Sequence, residues 1–221
     1  MKKGKKRPEK IKAVVFDVGG VLALNSSSYF SAHKHQRTKG VHDFMAEKLK
    51  IPFDQWIDSI DTPYSLAIEG KLSEKAVLKS ISQRNNVSEG KLRRLLLKAY
   101  RKNFKKNKGL YRFAFKLKKQ GYQIAILSDQ WRISEKAVMP KRYTKKFSPV
   151  IVSCDVGIRK PGRKIYRLLL KKLGIPSKNC VFIDNQIWNI KPAKALGFKT
   201  ILFKNNEQTF RQLSKLGIKL K

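Results

Sequence analysis

Two kinds of hydrophobic patterning divide this chain. From about residue 107 onward, short apolar runs alternate with amphipathic stretches. The runs Gln123 to Ser128, Val150 to Ser153, Cys180 to Asp184 and Thr200 to Phe203 predict strands. Between and after them, Leu110 to Lys119, Arg163 to Leu173, Trp188 to Leu196 and a stretch from Gln208 carry apolar residues at helical spacing. Gly121, Gly174 and Gly197 follow three of these helices, as glycine does where a helix ends in a left-handed residue. Strands alternating with helices in this way predict a parallel sheet with right-handed crossovers.

The first half reads differently. Residues 1–10 form a basic tail, and residues 11–17 one strand. From about residue 28 to 106 no strand pattern occurs, only helical stretches around Phe44, Met45 and Leu49, around Trp56 and Ile60, and after Ser73 and Ser88. Each of those serines is followed by an acid, the signature of a capped helix start. The organisation predicted is therefore an α/β core from residues 11–27 and 107–221, interrupted by an all-helical insertion over 28–106.

Composition narrows the classes of protein this can be. At 221 residues and 41% hydrophobic, the chain can bury an ordinary core. The basic start is not followed by an uninterrupted apolar segment or a small-residue cleavage site, and no run is long enough to cross a bilayer. A cytoplasmic protein without membrane contact is expected. Cys154 and Cys180 lie in apolar runs without metal-ligand spacing and are expected to be buried free thiols. The formal net charge of +36 raises the question of a polyanionic partner. The lysines and arginines are spread over nearly the whole chain, so we read them as a general surface property. Weak, salt-sensitive, non-specific nucleic-acid binding would be its side effect. The densest stretch, Lys91 to Lys119, has no acid and interleaves Tyr100, Phe104, Tyr111, Phe113 and Phe115. Aromatics so spaced are expected to form helix core faces.

Reactive residues cluster where strands end. Ala13-Val14-Val15-Phe16 delivers Asp17 into Val18-Gly19-Gly20, a turn whose backbone can approach a ligand closely. Ser128 ends a second strand and is followed by Asp129; Lys160 precedes a helix with Pro161 in its first turn; Asp184 ends a third strand, followed by Asn185 and, further on, Asn189. Parallel strands point one way, so these groups share one edge of the sheet. Two carboxylates, a hydroxyl, a lysine and glycine backbone suit a phosphoryl group with Mg²⁺. His33, His35 and His42 lack convincing ligand spacing and are expected to be exposed. Trp131 and Trp188, beside the motif loops, are expected to pack in the core.

In the order Asp17, Ser128, Lys160, Asp184, the chain resembles the haloacid dehalogenase (HAD) superfamily. Phe16-Asp17-Val18-Gly19-Gly20-Val21-Leu22 and Gly157-Ile158-Arg159-Lys160-Pro161 are most similar to the branch holding the soluble epoxide hydrolase N-terminal phosphatase domain and sugar-phosphate phosphatases. The resemblance implies a Rossmann-like core with a helical cap over 28–106, and a Mg²⁺-dependent phosphatase acting on a small phosphorylated metabolite. It implies that Asp17 attacks phosphorus and, with the Gly19 carbonyl, Asp184 and Asn185, holds Mg²⁺. Gly19, Gly20, Ser128, Asp129 and Lys160 would contact the phosphoryl group. Two positions depart from the family pattern. Gly19 stands where many relatives carry a leaving-group acid, and Asn185 where a second metal-binding acid is usual. These departures leave open a slow enzyme, one suited to good leaving groups such as acyl or anomeric phosphates, or a binding protein without turnover. Dehalogenase chemistry on Asp17 is a third possibility. Asp129 either replaces the missing charge or acid, or points outward.

Overall fold

A computed structural model describes residues 10–25 and 40–219. Five parallel strands form one sheet: β1 (Ala13–Phe16), β4 (Gln123–Ser128), β5 (Val150–Val152), β6 (Cys180–Asp184) and β7 (Lys199–Leu202). Their spatial order is β5-β4-β1-β6-β7. The chain thus adds strands to one side of β1 and then returns to the other, which makes β1 the central strand and opens a crevice at its C-terminal end. Side chains alternate across this sheet. Val14, Phe16, Ile124, Ile126, Val181 and Ile183 join one buried cluster, while Ala13, Val15, Ala125, Leu127, Ile151 and Phe182 join another. Burial on both faces is what an all-parallel sheet requires, and it explains why its strands read as continuous apolar runs.

Helices cover both faces. Leu110, Tyr111 and Leu117 of α5 (Lys108–Lys119) and Leu213 of α11 (Asn206–Lys215) pack on the first. Ile165, Tyr166 and Leu169 of α9 (Arg163–Leu173), with Ile190 and Ala193 of α10 (Ile187–Ala195), cover the second. This is the expected Rossmann-like α/β architecture, with every predicted strand of the sheet present.

Between residues 40 and 103 lie α1 (Val41–Leu49), α2 (Phe53–Ile68), α3 (Glu74–Arg84) and α4 (Glu89–Asn103). Ser73 and Ser88 cap α3 and α4 as expected, their hydroxyls accepting from the backbone N–H groups of Ala76 and Lys91. The aromatics of the basic stretch are core: Tyr100, Tyr111 and Phe113 are buried, and Phe104 and Phe115 pack against them.

Several expectations need correction. A two-stranded antiparallel ribbon, β2 (Ala23–Asn25) with β3 (Phe104–Lys106), joins the helical segment to the sheet, where no strand was expected near residue 104. Three-residue strands are too short to show alternation. Asn107 pins the ribbon: its Nδ2 donates to the Val21 carbonyl at 2.9 Å, while its Oδ1 accepts from Leu110 N–H to cap α5. The stretch from residue 129 to 149 contains helical turns, α6 (Arg132–Val138) and α7 (Lys141–Thr144). Pro161 stands outside α9, after a cis Lys160–Pro161 bond, and Gly162 is the helix N-cap. Ser153 leaves its strand to start a one-turn helix, α8 (Ser153–Val156), which leaves Cys154 only half-buried. Both cysteines are free, and burial raises both thiols to about 11. Residues 1–9, His33 and His35 lie outside the described residues. Among the described residues, no helix is long and apolar enough to cross a membrane.

Candidate active site

Strand register brings the two carboxylates together. Phe16 pairs with Ile183, and the Asp17 N–H donates to the Ile183 carbonyl at 2.9 Å, so Asp17 and Asp184 leave the sheet at the same level on adjacent strands. Phe16 also pairs with Ile126, two residues short of Ser128 on the opposite neighbour. Lys160 arrives from the loop between α8 and α9. Its Nζ donates to Asp17 Oδ1 at 2.8 Å and to Asp184 Oδ2 at 2.7 Å. These three side chains are all but buried, with exposures of 2%, 8% and 0% for Lys160, Asp17 and Asp184.

Burial of a charge is expensive unless a partner compensates it. For Lys160, burial opposes the ammonium, but the carboxylates of Asp17, Asp184 and Asp129 outweigh it and hold the lysine above its usual range. For Asp17, burial together with the negative charge of Asp184 prevails over Lys160 and raises the carboxyl to about 7. One cation between two carboxylates therefore leaves an excess of negative charge.

Supporting contacts hold the rest of the set. Asp184 Oδ1 accepts from the Gln186 N–H at 2.7 Å, and Asn189 Nδ2 donates to both carboxylate oxygens. Tyr166 in turn donates its hydroxyl hydrogen to the Asn189 carbonyl at 2.9 Å. The Asn185 Oδ1 is buried without a partner, as is Asn189 Oδ1. Gly20, at φ +81°, makes room for Asn185: a Cβ there would lie 2.3 Å from its Nδ2. The Gly20 N–H is engaged within the turn, donating to the Ala23 carbonyl. Gly20→Ala is therefore expected to destabilise the fold by more than about 1 kcal/mol. A urea unfolding curve superimposable on that of the parent would show instead that Asn185 moves aside freely.

On the other side, Asp129 Oδ1 accepts from the Lys160 backbone N–H at 3.2 Å. Ser128 is fully buried, and its Oγ accepts from Gln130 Nε2 at 3.1 Å. Gln130 is fixed through its backbone by the Ser153 hydroxyl. Nothing in the type or spacing of Gln130 marks it in the sequence.

The site opens into a cavity of about 1390 Å³ lined by Asp17, Gly19, Gly20, Asp129, Lys160 and Asn185 at its floor. Tyr64 and Ile68 of α2, Tyr100 of α4 and Phe104 of β3 contribute walls. Trp188 corrects an expectation: it is 56% exposed and lines the cavity, since it sits in the first turn of α10, beyond the sheet that α10 covers. Trp131 is buried, as expected, and its indole donates to the Tyr100 hydroxyl. His42 is half-buried, not exposed, and its Nδ1 accepts from the Trp56 indole at 3.2 Å.

A parallel sheet with a buried Asp–Lys–Asp group at its crevice defines a class, and comparison with known proteins gives it a family. The family model for haloacid dehalogenase-like hydrolase matches residues 11–197, so the chain belongs to that family and is a hydrolase. Among curated proteins it is 28% identical over 234 residues to bifunctional epoxide hydrolase 2 of Sus scrofa, covering 95% of this chain and 40% of that one. The chain thus spans about two fifths of that relative's length. Among solved structures, a HAD family enzyme of Bacteroides thetaiotaomicron in complex with magnesium and inorganic phosphate superposes with a TM-score of 0.66 at 20% identity, over 88% of this chain and 94% of that one. The L-2-haloacid dehalogenase of Xanthobacter autotrophicus, with chloropropionic acid covalently bound, gives 0.57 at 19% identity, over 93% and 83%. At those identities the likeness is one of fold.

Proposed function

We propose that the chain is a Mg²⁺-dependent phosphatase that hydrolyses a small phosphorylated metabolite through a phosphorylated Asp17. The observation that carries this reading is the Lys160 ammonium held between the Asp17 and Asp184 carboxylates at the floor of the cavity.

The oxygens present fit a hard cation. Among the described residues no three His, Cys, Asp or Glu side chains form a metal cluster. Other oxygens are available: Asn185 Oδ1 is buried without a partner, and Gly19, whose carbonyl is a further donor, lines the same cavity as Asp17. Asp17, Gly19, Asp184 and Asn185 would hold Mg²⁺, which when bound supplies positive charge to the phosphoryl oxygens. The excess negative charge left by a single lysine is a second reason for a divalent ion to enter.

The chain's own groups then divide the work. An Asp17 carboxylate oxygen attacks phosphorus, and its P–O bond forms as the bond to the leaving oxygen breaks. Lys160 keeps Asp17 and Asp184 compensated and neutralises phosphoryl charge; Ser128 is fully buried and outside the cavity lining, its Oγ bonded to Gln130, so it reaches the phosphoryl oxygens only if Gln130 turns aside. Water then attacks the phosphorylated aspartate, releasing phosphate. The helices between residues 40 and 103 act as a cap that supplies Tyr64, Ile68 and Tyr100 to the cavity wall and excludes water; residues 28–39 of the expected cap lie outside the described residues. Ion pairs tie cap to core: Glu74, itself braced by Arg93 of the cap, binds Lys136, and Glu69 approaches Arg159 at 3.7 Å.

A panel of sugar phosphates, acyl phosphates and p-nitrophenyl phosphate tests this reading. Phosphate release should require Mg²⁺, cease with EDTA and be absent from Asp17→Asn. Release that survives EDTA, or none from any substrate, would end it.

A further inference from the structure

Breaking the bond to a poor leaving group requires a proton, and the cavity offers few sources. Its lining carboxyls are Asp17, Glu207 and Asp129. Asp17 is the nucleophile of the proposed phosphatase, on which this inference rests. Glu207 is 78% exposed at the start of α11, where it pairs with Arg211. Burial, chiefly, holds the Tyr64 and Tyr100 hydroxyls above their usual range. The turn after Asp17 provides nothing: Gly19 has no side chain, and a Cβ there would meet only Gln130 Nε2, at 3.8 Å.

That contact places the segment after Ser128 next to the empty position. Asp129, the residue preceding Gln130, is half-buried and lines the cavity. Its Oδ1 accepts from the Lys160 N–H, while its Oδ2 has no hydrogen-bond partner among the described residues. A carboxylic acid can keep the first bond and still donate a proton from the second oxygen. We propose that Asp129 is the general acid that protonates the leaving oxygen, in place of the side chain absent at Gly19.

The step balances. As Asp17 forms its bond to phosphorus, the bond from phosphorus to the substrate oxygen breaks, and that oxygen takes the Asp129 proton to leave as an alcohol. The Asp129 carboxylate then takes a proton from the water that attacks phosphorylated Asp17, so aspartate, acid and inorganic phosphate are all regenerated. The surroundings move the carboxyl toward its protonated form. Burial raises the Asp129 carboxyl and Asp184 adds to this, against the attraction of Lys160 and Arg159; Tyr64 faces it from α2.

Asp129→Asn keeps an oxygen to accept from Lys160 but has no proton to give. Its kcat/KM should fall about 10²- to 10⁴-fold on butyl phosphate, a substrate with a poor leaving group, and less than about 10-fold on p-nitrophenyl phosphate, which leaves unaided. Equal loss on both substrates would assign Asp129 a structural role and overturn the inference, as would no loss on either. In the unmutated protein, kcat/KM for butyl phosphate should decline at high pH where that for p-nitrophenyl phosphate does not. Matching profiles would overturn the inference even if the variant failed to fold. Failure of the phosphatase reading looks different: neither substrate would then show release dependent on Asp17.

Discussion

Lys160→Met is expected to destabilise the metal-free protein by about 3–5 kcal/mol at pH 8, because it leaves two buried carboxylates without their shared cation. The loss should shrink as pH falls. Without the ammonium, the Asp17 carboxyl rises further above its already raised value of about 7, so the folded state binds a proton that the unfolded chain releases near 4. An acid whose folded value is raised contributes stability below its unfolded value and loses it as pH rises through the folded one. Urea unfolding of parent and variant at pH 5 and pH 8 measures this directly. An equal difference at both values would mean that the carboxylates are solvated by other means. Lys160→Arg is not expected to rescue, since a planar guanidinium cannot occupy a space closed around a single ammonium. On the proposed function, Lys160→Met also loses the charge that steadies the transferring phosphoryl group, and Lys160→Arg displaces it.

The same residues show what the chain reveals before it folds. Asp17, Ser128 and Asp184 each terminate an apolar run, and a parallel sheet obliges such ends to lie on one edge. Their meeting could thus be inferred from hydrophobic pattern alone, whereas Lys160, one lysine among many, stood out only through its place in the Gly157-Ile158-Arg159-Lys160-Pro161 motif. Residues whose roles depend on side-chain direction escaped. Gln130 follows two polar residues and looks like loop, yet it is buried and bonded to Ser128. Trp188 shares its helix with buried Ile190 and Ala193, and only the position of the helix end over the crevice turns it outward. His42 bonds Trp56, a contact between α1 and α2 that no local pattern encodes. The β2–β3 ribbon is set by long-range pairing of three residues on each side, too few for a period to emerge.

On the proposed function, Asp17→Asn should reduce phosphate release to the rate seen without protein, since a neutral amide cannot attack phosphorus. Its effect on the fold should have the opposite sense. Asp17 is an acid whose folded value, about 7, lies above its unfolded value because burial and Asp184 disfavour the carboxylate. Its contribution to stability is complete below pH 4 and lost as pH rises through 7, where the site must hold the charge. Asparagine carries no such charge, and Lys160 retains Asp184 as partner. Measured without metal, the stability of Asp17→Asn relative to the parent should therefore climb between pH 4 and pH 8. That would mark the proposed nucleophile as a group held at a cost to the fold, as expected where a site is shaped for reaction rather than rest. Turnover by the variant would exclude Asp17 as nucleophile. A parent that gains stability on the variant as pH rises would show that Lys160, not burial, governs the carboxyl.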